Sequence, residues 1–173
     1  MVAQVASKVF GANVIGTCST SKVANVPLPR ERIVNYSGFP VTLVDSLRSL
    51  TPNKQGFDVV FDGVGKSTYA ISLDVTRARG LVVFFGNASG PVPPIDPLIL
   101  SAKGSLFMTR PKLYDYVATH EELLVRAKDV FEWNLEGKLV VPMDKEFNGL
   151  ETIEDALMYV KAGNATGKVF VKV

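Results

Sequence analysis

Gly80-Leu81-Val82-Val83-Phe84-Phe85-Gly86-Asn87-Ala88-Ser89-Gly90-Pro91-Val92-Pro93-Pro94 runs apolar at first and then stops abruptly in glycine, asparagine and proline. A run of that length without polar alternation is the pattern of a strand buried on both faces, because helices covering a parallel sheet leave neither face wet. Open α/β sheets place ligands beyond the carboxyl ends of their strands. Gly86, Asn87, Ser89 and Gly90 set exposed amides and short polar side chains at that edge. A plain turn after a core strand accounts for the same residues, and composition alone does not separate the two readings.

Upstream, Phe57 to Phe61 reads as a strand and Gly65 to Thr76 as a helix, so strand and helix alternate into Gly80 to Phe85 at βαβ spacing. That alternation predicts an α/β fold with a parallel sheet and right-handed crossovers. Nearer the start, Val2 to Phe10 has helical spacing and ends at Gly11, Asn13 to Thr17 and Arg32 to Asn35 are short strands, and Val41 to Leu50 is a helix. Its face carries Val41, Val44, Leu47 and Leu50. Downstream, the prolines between Pro91 and Pro97 force an extended loop. A helical turn at Leu98 to Ala102 and a strand at Ser105 to Thr109 follow.

Thr119 with Glu122 is a capping-box pattern opening a helix to about Glu136, with Leu123, Ala127, Val130, Phe131 and Leu135 as its expected buried face and Gly137 as its stop. Leu139 to Met143 is expected as a strand. Thr152 with Asp155 opens a last amphipathic helix carrying Ile153, Ala156, Leu157 and Val160, which Gly163 terminates, and Lys168 to Val173 alternates as a strand with one wet face.

The 173 residues suffice for a sizeable core, and 47% hydrophobic with 21% charged residues excludes wholesale disorder. A net charge of +2 with scattered Lys and Arg argues against nucleic acid as a partner. No apolar run is long enough to span a membrane, and the N-terminus lacks the order of a signal peptide. A single cysteine, Cys18, forms no internal disulfide and fits a cytoplasmic setting. One His and one Cys are too few soft ligands for a zinc site.

Phe85-Gly86-Asn87-Ala88-Ser89-Gly90, with Phe61-Asp62-Gly63-Val64-Gly65-Lys66 before it and Gly104-Ser105-Leu106-Phe107-Met108-Thr109-Arg110-Pro111 after it, resembles the quinone oxidoreductases related to zeta-crystallin. These are zinc-free members of the medium-chain dehydrogenase/reductase superfamily, and the likeness runs from about Gln4 to Val173. The resemblance implies a Rossmann-like, doubly wound, mainly parallel sheet, incomplete here at its first strand and glycine-rich turn. It implies a partial NADP-binding domain over residues 1–138. Residues 139–173 would belong, in the family, to the GroES-like substrate domain.

The loop after the second strand position, Cys18-Ser19-Thr20-Ser21-Lys22, has no carboxylate, which favours NADP(H) over NAD(H). Ser19, Ser21 and Lys22 can accept a 2'-phosphate, and by resemblance Lys22 and Tyr36 approach it, although Lys22 stands one residue nearer its strand than in many relatives, and a solvated lysine and a partly packed tyrosine explain the same residues. Phe85, Gly86, Asn87 and Ser89 match the loop along the nicotinamide half, and Gly63 and Gly65 the loop beside ribose and pyrophosphate. Read alone, Gly63-Val64-Gly65 is a tight turn and not a GxGxxG signature. Thr166-Gly167-Lys168 matches a segment near the nicotinamide, and a polar turn explains it nearly as well.

No acid or base is argued from this sequence, and His120 is expected at the surface. The implied activity is transfer of reducing equivalents from NADPH to a quinone or enone. It is expected to be impaired in this short chain, which binds weakly and turns over little or nothing without the glycine turn and substrate domain. A non-catalytic NADP-binding module and an interaction protein are the alternatives. The resemblance also implies a homodimer through Ser105 to Thr109. Finally, a doubly wound sheet lacking its central first strand is expected to close, either by direct pairing of Asn13 to Thr17 with Phe57 to Phe61 or by insertion of Lys168 to Val173, since buried unpaired backbone is costly.

Overall fold

The structure is a computed structural model that describes residues 1–36 and 43–173. Val41, expected at the start of a helix, lies outside the described residues. The chain divides into two compact units, one made of Met1–Asn35 and Ala127–Val173, the other of Tyr36–Arg126.

The second unit is built on three parallel strands, β3 (Phe57–Asp62), β4 (Thr76–Phe84) and β5 (Phe107–Thr109), in the order β3-β4-β5. The parallel α/β expectation holds. Val82 and Phe84 of β4 point to one face, where they meet Leu73 of the helix α3 (Tyr69–Val75) and Leu106 in a fully buried cluster. Ile99 and Leu100, from the helix α4 (Pro97–Ala102), pack on that cluster. Val83 is buried on the opposite face, so the apolar run is covered on both sides as its composition demands. The helix α2 (Leu43–Ser49) buries Leu43 and Leu47.

Among the boundaries that differ from expectation, those of β4 and α3 have local reasons. β4 begins at Thr76, not Gly80, because the strand carries a bulge: its register jumps between Phe57↔Thr76 and Val59↔Leu81. Arg79 inside the bulge is left-handed at φ 58°, and its amide donates to the Gly104 carbonyl at 2.8 Å. α3 begins at Tyr69 and not at Gly65, because the residues between are held in a turn described below. Asp96 caps α4 by accepting from the Leu98 amide at 2.9 Å, with Pro97 at the first helical position.

The helix α5 (His120–Leu135) opens with the expected reciprocal box: the Thr119 amide donates to Glu122 at 3.0 Å and the Glu122 amide to the Thr119 hydroxyl at 3.2 Å. Its expected buried face is corrected. Leu123, Val130, Phe131 and Leu135 are exposed and Ala127 is half-buried, since periodicity marks a face and burial needs a surface to cover it.

In the first unit, β1 (Gly16–Cys18) pairs in parallel with β2 (Ile33–Asn35), and β6 (Met143–Asn148) in parallel with β7 (Lys168–Lys172), the helix α6 (Ile153–Lys161) making the crossover. The chain starts with the short helix α1 (Val2–Gln4), which runs into a π-helical turn over Val5–Val9. The strand expected at Leu139 to Met143 is not formed before Met143, where β6 begins. Gln4 clamps Val140 through both its amide oxygen and nitrogen, and Asn134 donates to the Leu139 carbonyl, so side chains satisfy that backbone in place of a neighbouring strand. β6 carries Asp144, Lys145 and Glu146, and its charge conceals it from hydrophobic patterning. The Thr152 hydroxyl donates back to the Gly149 carbonyl and does not cap α6.

The expected closure of the sheet is also corrected. Among the described residues β1 pairs only with β2 and β3 only with β4, and β7 has β6 as its partner. Closure was expected because a buried bare edge is costly. Thr17 of β1 and Asp58, Val59 and Phe61 of β3 are exposed, so water is available to these strands. Lys168 and Lys172 stay exposed in β7, as desolvation of an unpaired ammonium requires.

Candidate functional site

The chemistry-bearing loops of the second unit leave the carboxyl ends of β3 and β4. Asp62, the last residue of β3, is 4% exposed. Its Oδ1 accepts from the amides of Val64 at 2.8 Å and Gly65 at 3.0 Å, Oδ2 accepts from the Ser72 hydroxyl at 2.7 Å, and the Thr68 hydroxyl lies within 2.9 Å of both oxygens. The bond from Val64 is an Asx turn, in which a side chain substitutes for backbone and folds the next residues tightly. This turn over Gly63 to Thr68 delays the start of α3.

The turn in turn shapes the loop after β4. The Phe85 amide donates to the Asp62 carbonyl at 2.9 Å, Ala88 to Gly63 at 3.2 Å and Ser89 to Val64 at 2.8 Å. The Ser89 hydroxyl also donates to the Val64 carbonyl at 2.8 Å and accepts from the Ser67 amide at 3.0 Å, while the Lys66 amide reaches the Gly90 carbonyl at 3.0 Å. The loops are close enough to require glycine: a Cβ on Gly86 would stand 3.0 Å from the backbone carbons of Gly63, and one on Gly65, at φ 87°, 2.6 Å from the Gly90 oxygen. Among the described residues the Gly86 and Asn87 amides and the Asn87 side chain form no hydrogen bond. Phe85 is 48% exposed and meets Phe61, 53% exposed, edge to face at 6.4 Å. Arg110 steadies the end of β4 by donating to the Phe84 carbonyl at 2.9 Å. Gly63, Phe85, Gly86, Asn87 and Ser89 are therefore brought together.

A second group lies in the first unit, at the carboxyl end of β1. The Ser19 and Ser21 hydroxyls are 3.2 Å apart, and Asn35 at the end of β2 donates to the Thr20 hydroxyl at 2.8 Å. Lys22 is turned onto the protein, its Nζ donating to the Ala165 carbonyl at 3.0 Å, beside Thr166. That turn is held by Asp144, which accepts from the Thr166 amide at 3.0 Å and also lies 3.4 Å from the Tyr159 hydroxyl. Desolvation pushes the Tyr159 phenol up, and Asp144 adds to it. Burial likewise raises the Cys18 thiol against the smaller opposing effect of Arg30. Tyr36 follows β2 directly and is half-exposed.

A family model described as zinc-binding dehydrogenase matches residues 31–171. The chain belongs to the zinc-binding dehydrogenase family. Its relatives include quinone oxidoreductases of the medium-chain dehydrogenase/reductase superfamily. That of Salmonella typhimurium is 38% identical over 152 residues, 87% of this chain and 45% of the relative. The solved Pseudomonas syringae quinone oxidoreductase superposes at a TM-score of 0.87 with 35% identity, over 99% of this chain and 52% of that one. The Escherichia coli enzyme, solved in complex with NADPH, gives 0.87 with 31% identity over the same shares. The chain thus spans about half the length of the relatives it matches.

The family's name implies zinc, and this chain's residues do not fit it. The sequence has one His, exposed His120 at the start of α5, and one Cys, buried Cys18 in β1. Among the described residues no cluster of His, Cys, Asp and Glu is placed to hold a metal. No helix described is long and apolar enough to cross a membrane. Sequence reasoning missed Asp62, Thr68, Ser72 and Arg110. The available signal was Asp62 itself, a carboxylate closing a strand with glycines one and three residues on, the pattern of an Asx turn.

Proposed function

We propose that this chain is the cofactor-binding part of an NADPH-dependent quinone reductase, passing reducing equivalents from NADPH to a quinone or enone. The observation that carries the reading is the interlocked pair of loops at the carboxyl ends of β3 and β4. They present unpaired amides at Gly86 and Asn87 over glycines that leave no room for a Cβ. Such an edge admits close approach of a planar ring and donates to its ribose and carboxamide oxygens. In this reading Phe85, Gly86, Asn87 and Ser89 hold the nicotinamide half, and Gly63 lies beside the adenosine ribose and pyrophosphate. Ser19, Ser21, Lys22 and Tyr36 serve the 2'-phosphate, supported by the absence of a carboxylate from Cys18 to Lys22. The bound nicotinamide supplies the hydride, and the chain supplies position and electrostatics.

The reading carries further parts. Residues 1–138 form the cofactor domain and residues 139–173 return to the substrate domain, and no metal takes part. The setting is cytoplasmic, supported by the single reduced cysteine. The partner is a second copy joined through Ser105 to Thr109. Supporting this, β5 is the edge of its sheet with Phe107 and Met108 exposed, a row that invites pairing.

Fluorescence titration with NADPH and NADH, followed by NADPH oxidation with a quinone acceptor, tests the function. Tighter binding of NADPH with quinone-dependent oxidation is expected. Binding without turnover assigns a non-catalytic module, and no binding of either nucleotide refutes the reading. A monomer by light scattering at high micromolar concentration refutes the dimer.

A further inference from the structure

We infer that Asp62 is the positioning residue of the cofactor loop, acting through the turn and touching no reacting atom. The inference rests on the reading that Phe85 to Gly90 takes the nicotinamide half.

Asp62 holds the turn by its carboxylate, and the turn holds the loop by its carbonyls. Gly63 and Val64, whose oxygens accept from Ala88, Ser89 and the Ser89 hydroxyl, are oriented by the two amides bound to Asp62 Oδ1. The loop therefore has no independent template: its own internal bond is Gly90 to the Asn87 carbonyl at 3.0 Å. Removing the carboxylate strands two amide donors, that of Gly65 in a buried residue, and a stranded donor loses its full desolvation penalty. Restoring them means moving the turn, and with it the carbonyls that hold Ala88 and Ser89, next to the free Gly86 and Asn87 amides.

The chemistry required is that of an acceptor, and charge is not needed. Asparagine keeps Oδ1 for the two amides, and its NH2 can donate to the Thr68 and Ser72 hydroxyls, which rotate to accept. D62N should therefore rescue what D62A destroys.

The test is amide hydrogen exchange by NMR on the full 173-residue chain, paired with NADPH titration, for wild type, D62A, D62N and L73A. In D62A, protection of the Ala88 and Ser89 amides falls about tenfold or more beyond any fall at Val82 and Val83, and the NADPH Kd rises by about the same factor. D62N stays within about twofold of wild type on both readouts. L73A, which empties a fully buried core position, lowers protection across the sheet without singling out the loop. Loop and sheet falling together in D62A, an unchanged Kd, or D62N behaving as D62A overturns the inference. Should D62A not fold, the Thr68→Val, Ser72→Ala double variant strips the carboxylate of its hydroxyl donors. A loss of protection confined to Ala88 and Ser89 then supports the inference, and a uniform loss overturns it. Failure of the functional reading looks different: wild type binds no NADPH while the exchange pattern holds.

Discussion

Gly86→Ala and Gly63→Ala add the same methyl group to the two sides of one contact, and their effects should differ several-fold. At Gly86 the new Cβ meets backbone: the Gly63 carbonyl oxygen lies well inside van der Waals contact, and its carbon and Cα stand at 3.0 Å. Backbone on both sides belongs to strand ends paired by the Phe85 to Asp62 bond at 2.9 Å and the Ala88 to Gly63 bond at 3.2 Å. Relief requires the loops to part. Overpacking of this kind costs about 1–3 kcal/mol, and weakening the two hydrogen bonds without breaking them adds about 1 kcal/mol between them, giving about 2–4 kcal/mol in all.

At Gly63 the new Cβ meets the far edge of the Phe85 ring, 2.8 Å from Cζ. That ring is half-exposed and can swing, losing at most its edge contact with Phe61, about 0.5–1.5 kcal/mol. At about 2–4 °C per kcal/mol for a chain of this size, Gly86→Ala should lower Tm by about 4–16 °C and Gly63→Ala by no more than about 6 °C. Far-UV circular dichroism is the suitable probe, because the single tryptophan, Trp133, lies in the other compact unit. NADPH affinity should fall more in Gly86→Ala than in Gly63→Ala. If Gly86→Ala melts within about 1 °C of wild type, the loops are not packed as described and the reasoning is refuted.

Three further outcomes are expected. Ser21→Asp places a carboxylate in the loop after β1 and should lower the preference for NADPH over NADH by about tenfold, read from paired titrations; an unchanged ratio removes this loop from the phosphate site. Thr119→Ala breaks the capping box and should cost about 1 kcal/mol of stability, measured by urea unfolding, with no effect on NADPH binding. Cys18 is held as the thiol by burial, and only the thiolate is nucleophilic, so its alkylation should be slow near neutral pH and rise with an apparent pKa above the ordinary value of about 8.5. An apparent pKa below that value contradicts the burial of Cys18.

What the sequence made legible is what periodicity encodes. The apolar run of β4, the glycine stops at Gly137 and Gly163 and the box at Thr119 and Glu122 each depend on residues close in sequence, and each is found in place. β6 and the stretch before it show the limit of the same signal: Leu139, Val140 and Val141 look like a strand, yet Gln4 and Asn134 satisfy the Leu139 and Val140 backbone, while the charged Met143–Asn148 segment is the strand. Hydrophobicity reports which residues leave water, whereas a strand is defined by the partner of its backbone groups, and that partner is remote in sequence.

The site divides in the same way. Gly63, Gly86 and Ser89 are visible as glycine and small polar residues at strand ends, but why each must be what it is depends on atoms more than twenty residues away: Gly86 on the Gly63 carbonyl, Ser89 on the Val64 carbonyl. Asp62 carries the least conspicuous signal and the most connections, since one buried carboxylate fixes a turn that becomes the template for a second loop. A carboxylate 4% exposed, fully occupied by amides and hydroxyls, has no lone pair left with which to act on a substrate. Its influence on chemistry must therefore pass through backbone geometry, which is why substitutions of the turn's acceptor and of Gly86 should converge on the same lesion in the loop.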